Sequence, residues 1–157
     1  LLRRELDGYL LQEGNVFLDT RRLPTEALAA LYQGSHCLLF PTLGEGFALM
    51  AAESAATGLP VIATNYGGHL DFLDKETAYL VKYKLDKLPT MRGLEETGHV
   101  QTMARPDSED FMWQVRNVVD NYSRAVLRGK RAAEKIRQGF TWERVGLRLR
   151  EILEEIG

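Results

Sequence analysis

Pro41-Thr42-Leu43-Gly44-Glu45-Gly46-Phe47-Ala48-Leu49-Met50-Ala51-Ala52-Glu53 follows the apolar run Cys37-Leu38-Leu39-Phe40 and leads through further alanines to Gly58-Leu59-Pro60. The run before Pro41 is too short for a helix and rich in large apolar residues, as a buried strand requires. Gly44 and Gly46 break it, and an Ala-rich helix over Phe47–Thr57 follows. Gly58 stands where a left-handed C-cap belongs, and Pro60 prevents continuation. Val61-Ile62-Ala63 resumes as a second apolar strand. Strands that are continuously apolar and alternate with helices predict a parallel sheet covered on both faces. The fold class is therefore α/β, a Rossmann-like doubly wound parallel sheet.

The spacing predicts further elements on either side. Leu2, Leu6, Tyr9 and Leu10 suggest a helix over residues 1–12, and Asn15–Asp19 reads as a short apolar strand. Pro24-Thr25 opens a helix that ends near Gly34. After Ala63 come the loop Thr64–His69 with its Gly67-Gly68 turn, a short helix to Leu73 and a strand at Ala78–Val81. Residues 82–106 are polar and break the rhythm, which marks either a mobile surface insertion or a lid or partner-contacting segment. Asp107–Asp110 places acid in the first turn of a helix. A basic helix from Arg124 to Arg137 then offers its charges to solvent. The closing helix, about 141–156, carries an apolar stripe: Trp142, Val145, Leu149, Ile152, Leu153 and Ile156.

Composition narrows the function classes. One domain accounts for 157 residues, and 45% apolar with 27% charged residues is globular usage. A formal charge of −2 gives no reason to expect nucleic acid as a partner. Cys37 has no second cysteine to pair with, and a buried inert thiol suits a reducing compartment. No apolar run reaches the roughly 18 residues that span a bilayer, and the charged start resembles no signal peptide. The expected location is the cytoplasm. His36, His69 and His99 are scattered, so no metal cluster is expected; His36 reads as a strand-edge residue and His69 as a candidate to line the cleft.

In open parallel sheets ligands bind beyond the carboxyl ends of the strands, where the glutamate loop and the Gly67-Gly68 turn must lie. Helical residues eight apart are separated by about 12 Å along the axis, too far for Glu45 and Glu53 to share one small ligand unless the first sits off the helix. A nucleotide-sugar has the right length. Glu45 can accept hydrogen bonds from the sugar and Glu53 from the ribose diol. Between them, the N–H groups of Gly46, Phe47 and Ala48 at a helix N-terminus suit a diphosphate. The bland alternative makes Glu45 a helix-terminal acid and Glu53 a solvated helix residue.

The frame as a whole resembles the donor-binding heart of the retaining GT-B glycosyltransferases of family 4, or group 1. Pro41-Thr42, Glu45-Gly46-Phe47-Ala48, Glu53, Gly58-Leu59-Pro60-Val61-Ile62-Ala63 and Gly67-Gly68 match that family's pattern. The likeness extends upstream to Leu28–Tyr32 and downstream to Phe140-Thr141-Trp142-Glu143-Arg144. It implies a metal-independent hexosyltransfer, in keeping with the lack of an Asp-x-Asp motif. Glu45 would be the residue at the sugar, Glu53 would hold the ribose, and Gly44, Gly46, Phe47, Ala48 and Leu49 would meet the diphosphate or sugar. Gly67, Gly68 and His69 would line the cleft. The substrate would be a UDP-, GDP- or ADP-linked sugar, with no further cofactor.

Departures from the pattern are Ala48 for the usual Gly, Asp71 where Glu is common, and Thr42 for Ser. The resemblance also implies that residues 1–157 are the C-terminal, nucleotide-sugar-binding half of a GT-B fold, truncated of its first strands. The N-terminal acceptor domain is then missing, and with it the family's Arg/Lys pair for the diphosphate. Arg21 and Arg22 either substitute in part or are simply solvated. That missing domain is also where any peripheral membrane contact would reside. Such a chain should be inactive alone and prone to self-association through its closing helix. The rival reading is a standalone, non-catalytic α/β module that binds a nucleotide or a protein.

Overall fold

The computed structural model describes residues 10–88 and 101–156. Its centre is a three-stranded parallel sheet of β3 (Leu38–Phe40), β4 (Val61–Thr64) and β5 (Tyr79–Val81), in that spatial order. Leu38 pairs with Val61, and Ile62 with Tyr79, so the carboxyl ends of the strands are level. All four residues of β4 are buried, as the central strand of a sheet covered on both faces must be.

Alternation along the strands sorts the core into two clusters. Phe40, Val61 and Ala63 face the helix between the strands, α2 (Leu49–Ala56), and the later half of α4 (Tyr122–Gly139) through Ala132 and Ile136. Ile62, Tyr79 and Val81 face α3 (Ser108–Asp120) through Val118, and the first turn of α4 through Ala125. Helices therefore cover both faces, and α4 passes from one to the other alongside β5. Small residues let α2 and α4 approach closely. Ala51 and Ala55 are fully buried, and a methyl at Gly129 would overlap the carbonyl of Gly58.

The terminal signals act as chemistry demands. Pro24 precedes α1 (Thr25–Gly34). Gly58 has φ +86, which only glycine adopts freely. The Asp107 carboxylate caps α3 by accepting the N–H groups of Glu109 and Asp110. Between β4 and β5 the chain makes a 3₁₀ turn at Gly68–Asp71.

Three expectations change. Leu10–Glu13 is not helical: it forms β1, which pairs antiparallel with β2 (Val16–Asp19) across a two-residue turn. Gly14 there has φ +59 and provides the bend that the helical spacing of leucines concealed. The remainder of the expected helix, residues 1–9, lies outside the described residues. β2 is the expected strand, but it stands apart from the parallel sheet with all four residues exposed.

Second, the polar stretch 82–106 contributes a hairpin of β6 (Tyr83–Leu88) and β7 (Gln101–Pro106), with residues 89–100 outside the described set. The alternation Tyr83-Lys84-Leu85-Asp86 is the period-two signal that its polarity masked. The Ala104 N–H donates to the Leu43 carbonyl at 2.9 Å, so the hairpin leans on the glutamate loop.

Third, the cations of α4 are only partly solvated. Arg128 donates to the Ala78 carbonyl and Arg137 to that of Ala56, while Arg131 and Lys135 pair with Glu76 and Asp74.

The closing helix α5 (Trp142–Ile156) forms as expected and buries none of its residues; Trp142 is 91% exposed. No helix among the described residues is long and apolar enough to cross a membrane.

Candidate functional site

Beyond the carboxyl ends of β3 and β4, two glycine-bearing loops are pressed together. The Gly68 N–H donates to the Glu45 carbonyl at 2.9 Å. A Cβ on Gly68 would overlap the carbonyl of Gly46, and one on Gly67 would lie 3.2 Å from the backbone N and O of Glu45. Gly67 itself has φ +115. Both glycines are therefore required by contact between the loops, a demand made by the fold rather than by any ligand. Gly44 and Gly46 differ: a Cβ on either meets nothing within 4 Å.

Below these loops runs a ladder of hydrogen bonds. The buried Thr64 hydroxyl donates to the Thr42 carbonyl at 2.7 Å, and His69 Nε2 bonds the Thr64 carbonyl at 2.6 Å. His69 is fully buried. It braces the loop from beneath instead of lining an open cleft, bonding a Thr64 carbonyl that also accepts the Tyr66 N–H at 2.8 Å. Thr42 has a second task. Its hydroxyl accepts the Gly44 N–H and lies 3.2 Å from Glu45 Oε1, a distance at which it donates and orients the carboxylate. Sequence reasoning passed over Thr64, whose only signal was a polar residue ending an apolar strand.

Glu45 is exposed at the lip of the site. After it the chain turns through Ala48, the only described non-glycine residue with positive φ, at +67. The αL conformation costs an L-residue about 1 kcal/mol, and glycine, usual at this position in the family it resembles, would avoid that strain. Ala48 is 6% exposed, so its methyl gains burial in return. Among the described residues, the N–H groups of Gly46, Phe47 and Ala48 have no hydrogen-bond partner. Phe47 packs on Phe72 and Phe140, with centroids 5.3 and 6.2 Å away, which joins the loop to the chain entering α5.

Glu53 lies one turn along α2, on the wall of an apolar groove of about 680 Å³ shared with Phe47, Leu49, Phe140 and Trp142. Tyr32 of α1 stands close by. Burial, then the Glu53 carboxylate, raises the pKa of its phenol, though the hydroxyl has no partner within hydrogen-bond distance. Glu45 and Glu53 thus occupy a loop and a helix, with the unpaired N–H groups between them in sequence. Arg21 is engaged elsewhere, in a two-pronged pair with Asp19 at 2.8 and 2.9 Å. Among the described residues no His, Cys, Asp and Glu gather as a metal site, and His99 lies outside them.

This frame has counterparts of known kind. The sequence model for family 4 glycosyltransferases in conflict systems matches residues 13–149, and the chain belongs to that family. It is 26% identical over 132 residues, 84% of its length, to a D-inositol 3-phosphate glycosyltransferase of Corynebacterium kroppenstedtii. Over 155 residues, 99% of its length, it is 24% identical to the phosphatidylinositol N-acetylglucosaminyltransferase gpi3 subunit of Schizosaccharomyces pombe. It spans only 24% and 28% of those two proteins. Sucrose-phosphate synthase from Thermosynechococcus elongatus superposes with a TM-score of 0.66 over 87% of this chain and 29% of that one, at 23% identity, and so shares the fold.

Proposed function

We propose that this chain is the donor-binding part of a retaining glycosyltransferase, a hexosyltransferase whose donor is a nucleotide-diphospho-sugar. One observation carries the proposal. Two interlocked glycine loops at the carboxyl ends of parallel strands hold the N–H groups of Gly46, Phe47 and Ala48 unpaired beside an exposed carboxylate. Unpaired N–H groups at a helix entrance favour a diphosphate. An exposed carboxylate oriented by Thr42 suits the hydroxyls of a sugar.

In this scheme Glu45 fixes the sugar, the Gly46–Leu49 turn receives the diphosphate and Glu53 accepts from the ribose diol. The groove beside Glu53 gives the nucleoside an apolar wall. Catalysis on the donor side is then positioning and stabilisation of the charge that develops on the leaving diphosphate. The acceptor belongs to a separate N-terminal domain. The exposed stripe of α5 favours that arrangement over the standalone module, in which the helix would dock on its own sheet.

The test is an NMR titration of isotope-labelled chain with UDP, GDP and ADP in turn. Amide shifts at Gly46, Phe47 and Glu53 with one nucleotide support the donor site and name the base. Silence from all three at millimolar concentration refutes it for this chain. The isolated chain is expected to transfer no sugar, and Glu45-dependent transfer by it would overturn the division of labour.

A further inference from the structure

A second cavity, of about 500 Å³, lies beside β5 between α3 and α4; none of its lining residues belongs to the glutamate loop, and Asn65 alone comes from the Thr64–His69 loop. Its floor is the outer edge of β5. Arg128 Nη1 donates to the Ala78 carbonyl at 3.1 Å and Gln114 Nε2 to that of Leu80 at 3.4 Å, so the edge groups are satisfied by side chains. Arg128 also stacks on the Tyr79 ring, 4.3 Å from its centroid. These contacts account for Arg128 and Gln114 as parts of the fold.

They do not account for the rest. Lys75, Lys82 and Arg124 also line the cavity, and no carboxylate is among its lining residues. Lys82 Nζ is 3.8 Å from a carboxylate oxygen of Asp110. The side chains of Lys75 and Arg124 make no ion pair or hydrogen bond among the described residues, while the Arg124 N–H donates to the Asn121 carbonyl at 3.0 Å. In a chain of net charge −2 this is a local concentration of positive charge in a concave place. Trp113 forms one wall and is 59% exposed, an indole face with nothing on it.

We infer that this cavity binds a small organic phosphate, with the phosphoryl group held by Lys75 and Arg124 and the attached sugar or base lying on Trp113. Two uncommitted cations, Lys75 and Arg124, select an anion. The volume falls within the roughly 300–1,000 Å³ of small-molecule sites. The free indole selects an anion with a ring attached, since aromatic faces take sugars and bases alike. The site is separate from the proposed donor site and stands or falls without it.

The chain has two tryptophans, so a Trp142→Phe background makes fluorescence report on Trp113 alone. Glucose 6-phosphate, AMP and inorganic phosphate are titrated separately. Saturable change with either ester, at least about tenfold tighter than with inorganic phosphate, is expected. Lys75→Ala with Arg124→Ala should weaken it by about tenfold or more, as loss of a charge-assisted hydrogen bond does. Glu53→Ala should leave it unchanged, which separates this site from the donor site. Both replaced cations are exposed, and circular dichroism checks that the variant stays folded. The Trp113 indole N–H resonance in the otherwise unaltered chain gives a second readout. No saturable change by either readout, equal affinity for inorganic phosphate, or indifference to the double substitution would each overturn the inference.

Discussion

Replacing Gly68 by Ala and, separately, Gly46 by Ala separates what the fold demands from what a ligand demands. At Gly68 the new methyl would overlap the Gly46 carbonyl and lie 3.2 Å from the Phe47 Cα, both backbone groups with little freedom to move. The turn must retreat, and the 2.9 Å bond from the Gly68 N–H to the Glu45 carbonyl is strained or lost. Overpacking of this kind costs about 1–3 kcal/mol, and the hydrogen bond about 1 kcal/mol more. A total of roughly 2–4 kcal/mol corresponds to a fall of about 5–15 °C in Tm for a domain of this size. At Gly46 the methyl meets open space, so the fold should be neutral or gain up to about 1 kcal/mol from a stiffer unfolded chain. Nucleotide affinity should fall in both variants. Thermal denaturation followed by circular dichroism, beside the UDP, GDP and ADP titrations, reads both quantities. Unchanged stability of Gly68→Ala would refute the packing account. Undiminished nucleotide binding by Gly46→Ala would refute close approach of a ligand to that backbone.

Three further outcomes are expected. Glu53→Ala should weaken nucleotide binding by about 1–3 kcal/mol, the range for losing charged hydrogen bonds; unchanged affinity in calorimetry would remove Glu53 from the ribose role. At Asp74, burial pulls the carboxyl up, but Lys135, the Glu76 N–H and the Thr77 hydroxyl outweigh it and hold the pKa below its ordinary 3.8. That contribution is present above the unfolded value and lost as pH falls through the folded one, so Asp74→Asn should destabilise at neutral pH and show a smaller drop in Tm on acidification below pH 3.8; parallel Tm–pH curves would refute the pairing. Burial raises the Cys37 thiol to about 11, leaving about 0.1% thiolate at pH 8, so alkylation by iodoacetamide should be far slower than for a free thiol. Reaction at the free-thiol rate would show that Cys37 is not packed against the cluster of Ile62, Tyr79 and Val81.

Much of this fold was legible because its signals are local. An apolar run ended by Pro41, glycines at Gly44 and Gly46, an alanine helix stopped by Gly58 and Pro60, and Asp107 ahead of α3 each act on the dihedrals or hydrogen bonds of their own neighbours. They need no distant partner to be read, and they set out the parallel α/β order and the place of the glutamate loop. The family resemblance rested on the same residues.

What depends on partners far along the chain was settled only by the tertiary structure. Leu10, placed in a helix by its spacing, became part of β1, because Gly14 turns the chain back on β2. The polar stretch after β5 became a hairpin by pairing across residues 89–100 and reaching Leu43. His69, polar and next to two glycines, went beneath the loop, where its ring reaches the Thr64 carbonyl at the end of β4. Lys135 and Arg131 found Asp74 and Glu76 some sixty residues away, where sequence showed only a basic helix face. Gly68 and Gly129 are glycines for one reason: another backbone occupies the space where a side chain would stand. Local sequence specifies which conformations each segment can adopt, whereas burial and pairing choose among them, and those involve atoms that meet only after the chain has folded.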